Sequence, residues 1–176
     1  AVKFETERHL YKFRRNPAEF ENSEGQFRIT VMATVLAKDL GIHYNPDRIS
    51  ISGINDEPDE AFFANSGDVF IHGLCGPFGS GTCSSMPVFY AALGRRLGYP
   101  LKLVNAKAHF FLRWDDGKER FNIDATSPGF VSHPDSHYRQ WPFPITPEEE
   151  RNEGWLRSLT PAQEIAVFMS LRCQCL

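Results

Sequence analysis

GTCSSMPVFYAALGRRLGYPLKLV, residues 81–104, is the stretch on which the fold turns. From Met86 onward, Met86, Phe89, Tyr90, Leu93 and Leu97 share one face at helical spacing, and Gly98 and Pro100 close the run. A helix is therefore predicted here. Two strands are predicted next, LKLVNA at 101–106 and AHFFLRW at 108–114, and beyond Asp115-Asp116-Gly117 a third, ERFNID at 119–124. Asp-Gly between alternating runs signals a hairpin, because both central residues of a type I′ turn need positive φ.

Upstream of the helix, Gly76-Pro77-Phe78-Gly79-Ser80-Gly81-Thr82-Cys83-Ser84-Ser85 is a glycine run that delivers one cysteine to the helix start. It is not a phosphate loop, since no Lys followed by Ser or Thr comes after the glycines. Nor is it a Gly-x-Ser-x-Gly elbow. A thiol at a helix N-terminus meets unpaired N–H groups and the positive end of the macrodipole, which favour the nucleophilic thiolate. The N–H groups of Cys83 and Ser84 are then expected to point where an oxyanion would form on an attacked carbonyl. Gly79 and Gly81 would let a substrate backbone come close. Equally, a free cysteine is often no more than a small buried hydrophobe.

The hairpin supplies partners for that thiol. With Asp116-Gly117 as a two-residue loop, His109 and Asp124 stand directly opposite on one face, Cβ atoms about 5 Å apart. The carboxylate would accept from one ring nitrogen, fixing the tautomer and turning the other nitrogen toward the thiol. A three-residue loop of Asp115, Asp116 and Gly117 would instead put Ile123 opposite His109 and leave Asp124 diagonal. Taken singly, His109 also reads as a packed histidine and Asp124 as a strand-end cap.

Outside this segment, residues 27–40 carry Met32, Leu36 and Leu40 in one helical row beside Val31 and Val35, ended by Gly41. Residues 48–54 alternate like a short strand, and the acidic segment 55–68 reads as a surface loop. Residues 125–150 form a connector with Pro128, Pro134, Pro142, Pro144 and Pro147, in which Tyr138 and Trp141 either pack or cover a cleft. His133 and His137 are separated by Pro134 and read as loop residues, and Glu148 to Arg151 as a solvated helix start. Thr160-Pro161-Ala162-Gln163 announces a last helix through a capping box. Its Ile165, Val167, Phe168, Met169 and Leu171 make it apolar on most sides, as if a further helical region and a protein partner followed.

The chain's 176 residues allow one domain and a sizeable core. Nineteen Lys and Arg against twenty-two Asp and Glu, with no basic block, argue against nucleic acid as a partner. No stretch approaches the roughly 20 apolar residues of a membrane span. Four cysteines, Cys75, Cys83, Cys173 and Cys175, are too few for a disulfide scaffold and fit a reducing, cytoplasmic compartment. His72, Cys75, Cys83 and His109 are four soft groups, but their spacing is irregular for zinc and Cys75 reads better as packed near the nucleophile. No calcium loop is present.

The segments GTCSSMPVFYAALGRRLGYPLKLV, AHFFLRW and RFNIDAT resemble the transglutaminase-like superfamily, and more narrowly bacterial transglutaminase-like proteins that often carry tetratricopeptide repeats. The resemblance runs over roughly residues 66–176. It implies a papain-like α+β fold, with residues 1–65 as its helical or irregular N-terminal part, 66–150 as the catalytic core and 151–176 as a C-terminal helix. It implies Cys83 as nucleophile, His109 as base and acid, and Asp124 as orienting group, where relatives often carry Glu. The expected chemistry is attack on an amide or ester carbonyl of a protein or peptide substrate, through an acyl-thioester released to water or an amine. No cofactor is implied, and with no Gln shortly before Cys83 the oxyanion hole is expected to be mostly backbone. A catalytically silent interaction module on the same fold is the alternative.

Overall fold

A computed structural model describes residues 1–48, 60–76 and 79–176, and shows a mixed helix-and-sheet chain of the α+β kind. Helix α1 (Val2–Arg15) is followed by α2 (Glu24–Thr34), whose Ser23 cap accepts from the Gln26 amide at 2.9 Å. A π turn, Val35–Asp39, ends α2. There the Leu40 amide reaches back to the Val35 carbonyl at 3.1 Å, which widens the last turn. Met32 and Leu36 stay in the core, but Leu40, expected in the same row, is rotated into solvent.

Strand β1 (His43–Tyr44) leads to a 3-10 turn at Pro46–Arg48. The strand expected over 48–54 otherwise lies outside the described residues, as do residues 55–59 of the expected surface loop. The rest of that loop is helical: α3 (Glu60–Phe63) and α4 (Ser66–Val69). Asn65 caps α4 by accepting from the Gly67 amide, and buried Asp68 accepts from Asn45 and Arg48, both at 2.9 Å. A local cap and a buried acceptor thus order a segment whose composition suggested solvent.

Strand β2 (Ser80–Gly81) pairs in parallel with β1 and runs into helix α5 (Met86–Arg96). Strands β3 (Leu101–Ala106), β4 (His109–Asp115) and β5 (Arg120–Ile123) then form an antiparallel sheet in chain order. The face bearing Leu101, Leu103, Leu112, Trp114 and Ile123 joins Met32, Leu36, Met86 and Tyr90 in the main core. Helix α5 lies close on β3, since a Cβ on Gly94 would stand 2.3 Å from Leu101 Cδ1. The other face, Val104, Ala106 and Phe111, is covered by Tyr138 and Ile145 of the connector and by Leu156 just beyond it.

That cover consists of α6 (Asp135–Tyr138), α7 (Pro147–Glu153) and the approach to α8 (Pro161–Gln174). The Tyr138 ring stacks on Phe111 at 3.8 Å, a contact worth about 1 kcal/mol beyond its buried area. Fully buried Arg113 ties the connector down by donating to Asn122 Oδ1, the Leu156 carbonyl and Asp135 Oδ1. The amides of Leu156 and Leu159 donate to the carbonyls of Asn105 and Leu103, closing the free edge of β3. Helix α8 has the expected capping box, and its buried Glu164 accepts from Arg95 at 2.6 and 2.9 Å. Ile165 and Met169 stay exposed, while Val167, Phe168 and Leu171 pack on the main core. Among the described residues no helix is long and apolar enough to cross a membrane.

Candidate active site

His109 opens β4 directly after the tight Lys107-Ala108 turn, in which Ala108 takes φ +57. Asp124 stands one residue past β5, where its amide and carbonyl bridge Val131 at 2.8 and 3.0 Å. The β4–β5 register corrects both expected loops. Asp115 pairs with Arg120, so the loop is the four residues 116–119. The Asp116 carboxylate closes this loop by accepting from the Lys118 and Glu119 amides at 2.8 and 2.9 Å, with Gly117 at φ +81.

Continuing that ladder one step brings Asp124 level with Phe111, not with His109. Relative to the two-residue loop the strand has slipped by two positions, and a slip of two keeps each side chain on its face. The histidine therefore meets the carboxylate diagonally, Nε2 to Oδ2 at 2.8 Å, with both residues buried. Oδ1 accepts from the Thr126 amide at 3.0 Å and hydroxyl at 2.6 Å, and Oδ2 also accepts from Tyr138 Oη at 3.3 Å. Tyr138 stacks beside the imidazole at 6.0 Å, and Trp141 meets it edge-on at 4.7 Å.

Burial on its own disfavours the imidazolium, but the hydrogen bonds and charges of Asp124 and Cys83 outweigh it and raise His109 to about 9. Burial likewise disfavours the Asp124 carboxylate, and the His109 and Thr126 hydrogen bonds outweigh it, holding Asp124 down at about 2. The pair is thus an ion pair across neutral pH. With Nε2 engaged by Asp124, Nδ1 is the nitrogen left for the thiol.

Cys83 lies in the turn that leads into α5, where the Met86 amide donates to the Thr82 carbonyl at 2.9 Å. It is half-buried, is the accessible member of the group, and lies near enough to His109 to help hold the imidazolium. The expected pair of backbone oxyanion donors is only half present. The Ser84 amide is already committed to Thr82 Oγ1 at 3.2 Å, because the Thr82 hydroxyl, itself anchored on the Asp68 carbonyl, folds back over it. Gly79 and Gly81 also bring the chain close to itself. A Cβ on Gly81 would meet Leu74 at 2.7 Å and Ser85 Oγ at 2.8 Å, and one on Gly79 the Gly41 carbonyl at 3.0 Å.

Tyr44 went unnoticed in the sequence, where nothing links it to Cys83. The β1–β2 bridge places it level with Gly81, two residues before Cys83, and its hydroxyl donates to the Arg48 carbonyl at 3.3 Å. Burial first, and then the charge of Cys83, raise its pKa. Of the two aromatics expected either to pack or to cover a cleft, Trp141 borders His109 and is part-exposed, and Tyr138 is buried as packing. His133 and His137 do come together, rings stacked at 4.0 Å around Pro134. Burial and then the His133 charge lower His137.

Cys75 is exposed rather than packed at the nucleophile, and His72 faces Ser66 Oγ at 3.4 Å. Among the described residues no three His, Cys, Asp or Glu side chains are grouped to hold a metal ion. No family model, curated protein or solved structure matches the chain.

Proposed function

We propose that the chain is a cysteine-dependent hydrolase or acyl transferase with a papain-like, transglutaminase-like core, acting on an amide carbonyl of a peptide or protein. Cys83 attacks the carbonyl carbon, His109 holds the thiol proton and passes it to the leaving amine, and Asp124 keeps the ring oriented and charged. The acyl-thioester is then released to water or to an amine. One observation carries this reading: a buried imidazole held by a carboxylate at 2.8 Å on Nε2, with the half-exposed thiol of Cys83 in range of the same ring. A structural histidine needs no nucleophile beside it, and a structural cysteine needs no imidazolium.

The test is alkylation by iodoacetamide below pH 8, followed residue by residue. Cys83 should react at least tenfold faster than Cys75, Cys173 and Cys175, although two of those three are exposed. Cys83→Ala should abolish the fast phase. Uniform slow reaction at all four thiols would leave the interaction-module reading instead.

A further inference from the structure

We propose that Thr126 is a positioning residue of this site, its hydroxyl locking the Asp124 carboxylate in the one rotation that presents Oδ2 to His109. The inference rests on His109 serving the Cys83 thiol, and it gives a role to the last residue of the RFNIDAT segment. Strand pairing leaves that role open. Asp124 lies one residue past β5, its backbone bonded to Val131, and it is level with Phe111 rather than with His109. Pairing therefore sets the face of the side chain but not the turn of its carboxylate, and the last torsion of an Asp side chain is broad.

Thr126 removes that freedom. Its amide donates to Oδ1 at 3.0 Å and its hydroxyl to the same oxygen at 2.6 Å, over a tight turn whose middle residue, Ala125, is fully buried in the main core. Any residue but proline would supply the amide. The hydroxyl is what threonine adds, and its one hydrogen goes to Oδ1. Oδ2 accepts from His109 Nε2 at 2.8 Å and from buried Tyr138 Oη at 3.3 Å. Four donors thus meet the four lone-pair positions of one ionised carboxylate, on a residue that is 4% exposed. A rotation that took Oδ2 away from the ring would also break the 2.6 Å bond at Oδ1, so the hydroxyl holds the imidazole through Asp124.

Thr126→Val removes the hydroxyl at nearly constant volume, and Thr126→Ser keeps it. The first readout is the titration of the His109 imidazole, followed by nuclear magnetic resonance on the full chain. Losing the donor with the carboxylate still in place would leave more negative charge facing the ring and move the midpoint up, whereas losing the alignment moves it down. In Thr126→Val the midpoint, about 9 in wild type, should therefore fall by about one pH unit or more, and it should return in Thr126→Ser. The other titratable groups that sense this carboxylate, Tyr44, His137 and Tyr138, are the same in both variants. An unmoved or raised midpoint, or a serine variant that behaves like the valine one, would overturn the proposal. If Thr126→Val does not fold, Thr126→Ala is read in its place against the same outcomes. The second readout is alkylation of Cys83 by iodoacetamide. At pH 6 it should slow about tenfold in Thr126→Val, and at pH 10, where a thiolate needs no imidazolium, it should stay within about threefold of wild type. Equal slowing at both pH values would mean general damage and would also overturn the proposal. A wild-type Cys83 no more reactive than Cys75 would remove the nucleophile reading instead, and Thr126 would then lock a purely structural ion pair even if the midpoint falls.

Discussion

Replacing Asp124 by Asn tests the buried pair in a way that does not depend on knowing the substrate. The substitution keeps the shape and leaves Oδ1 to accept from Thr126, but it turns an amide toward His109 Nε2. The ring then loses the charge that offsets its burial, and the nitrogen facing the amide becomes the acceptor, which is the wrong tautomer for taking a proton from the thiol. His109 moves from 6.5 to about 9, which at about 1.36 kcal/mol per pH unit is about 3 kcal/mol. Seen from Asp124, which moves from 3.8 to about 2, the same pair is worth about 2 kcal/mol. The figures differ because His109 also senses Cys83 while Asp124 also accepts from Thr126, so the two bracket the pair.

The sign of the pH dependence follows from the two directions. The stabilisation from the raised His109 is full below pH 6.5 and is lost as pH rises through about 9, while that from the depressed Asp124 is full above 3.8 and is lost as pH falls through about 2. Denaturant unfolding of wild type and Asp124→Asn should therefore differ by about 2–3 kcal/mol between pH 4 and 6.5, with the gap shrinking as pH approaches 10. A gap that is constant from pH 6 to 10, or that widens, would refute the ion pair. If Cys83 is catalytic, acylation should also fall by about four orders of magnitude in the variant.

Two substitutions probe the scaffold. Gly81→Ala forces a Cβ against Leu74 and Ser85 Oγ in a buried turn, so it should cost about 1–3 kcal/mol in unfolding free energy and slow alkylation of Cys83, two residues on. Arg113→Met strips donors from Asn122, Asp135 and the Leu156 carbonyl at once. A loss of about 3–5 kcal/mol is expected, together with loss of amide-exchange protection in the Leu156–Asn105 bond that closes the sheet edge.

Local pattern sufficed for much of the framework. The helix after Cys83, the three strands behind it and the capping box at Thr160 are set by residue spacing and by contacts three or four residues apart, so they can be read along the chain. His109 and Asp124 could be placed on one face because alternation in strands survives any even change of register. The register itself could not be read, since a single carboxylate, Asp116, chose a four-residue loop over the shorter ones. The same kind of short-range hydrogen bond, from the Ser84 amide to Thr82, removed an oxyanion donor that helix-start geometry alone had promised.

What the linear sequence determined is the identity of the candidate groups and the faces they occupy, because both depend only on residue type and on the period of the backbone. What tertiary structure decided is which distant groups share a space with them. Tyr44 comes beside the segment that carries Cys83 through a parallel pairing of β1 with β2, two short strands with no period of their own to announce them. Asp124 stays ionised in the interior because His109, arriving from β4, joins Thr126, two residues along, in donating to it, and Tyr138 of the connector adds a third donor. Desolvation and hydrogen bonding in a buried site depend on distances of a few ångströms between segments, and spacing along the chain does not encode them.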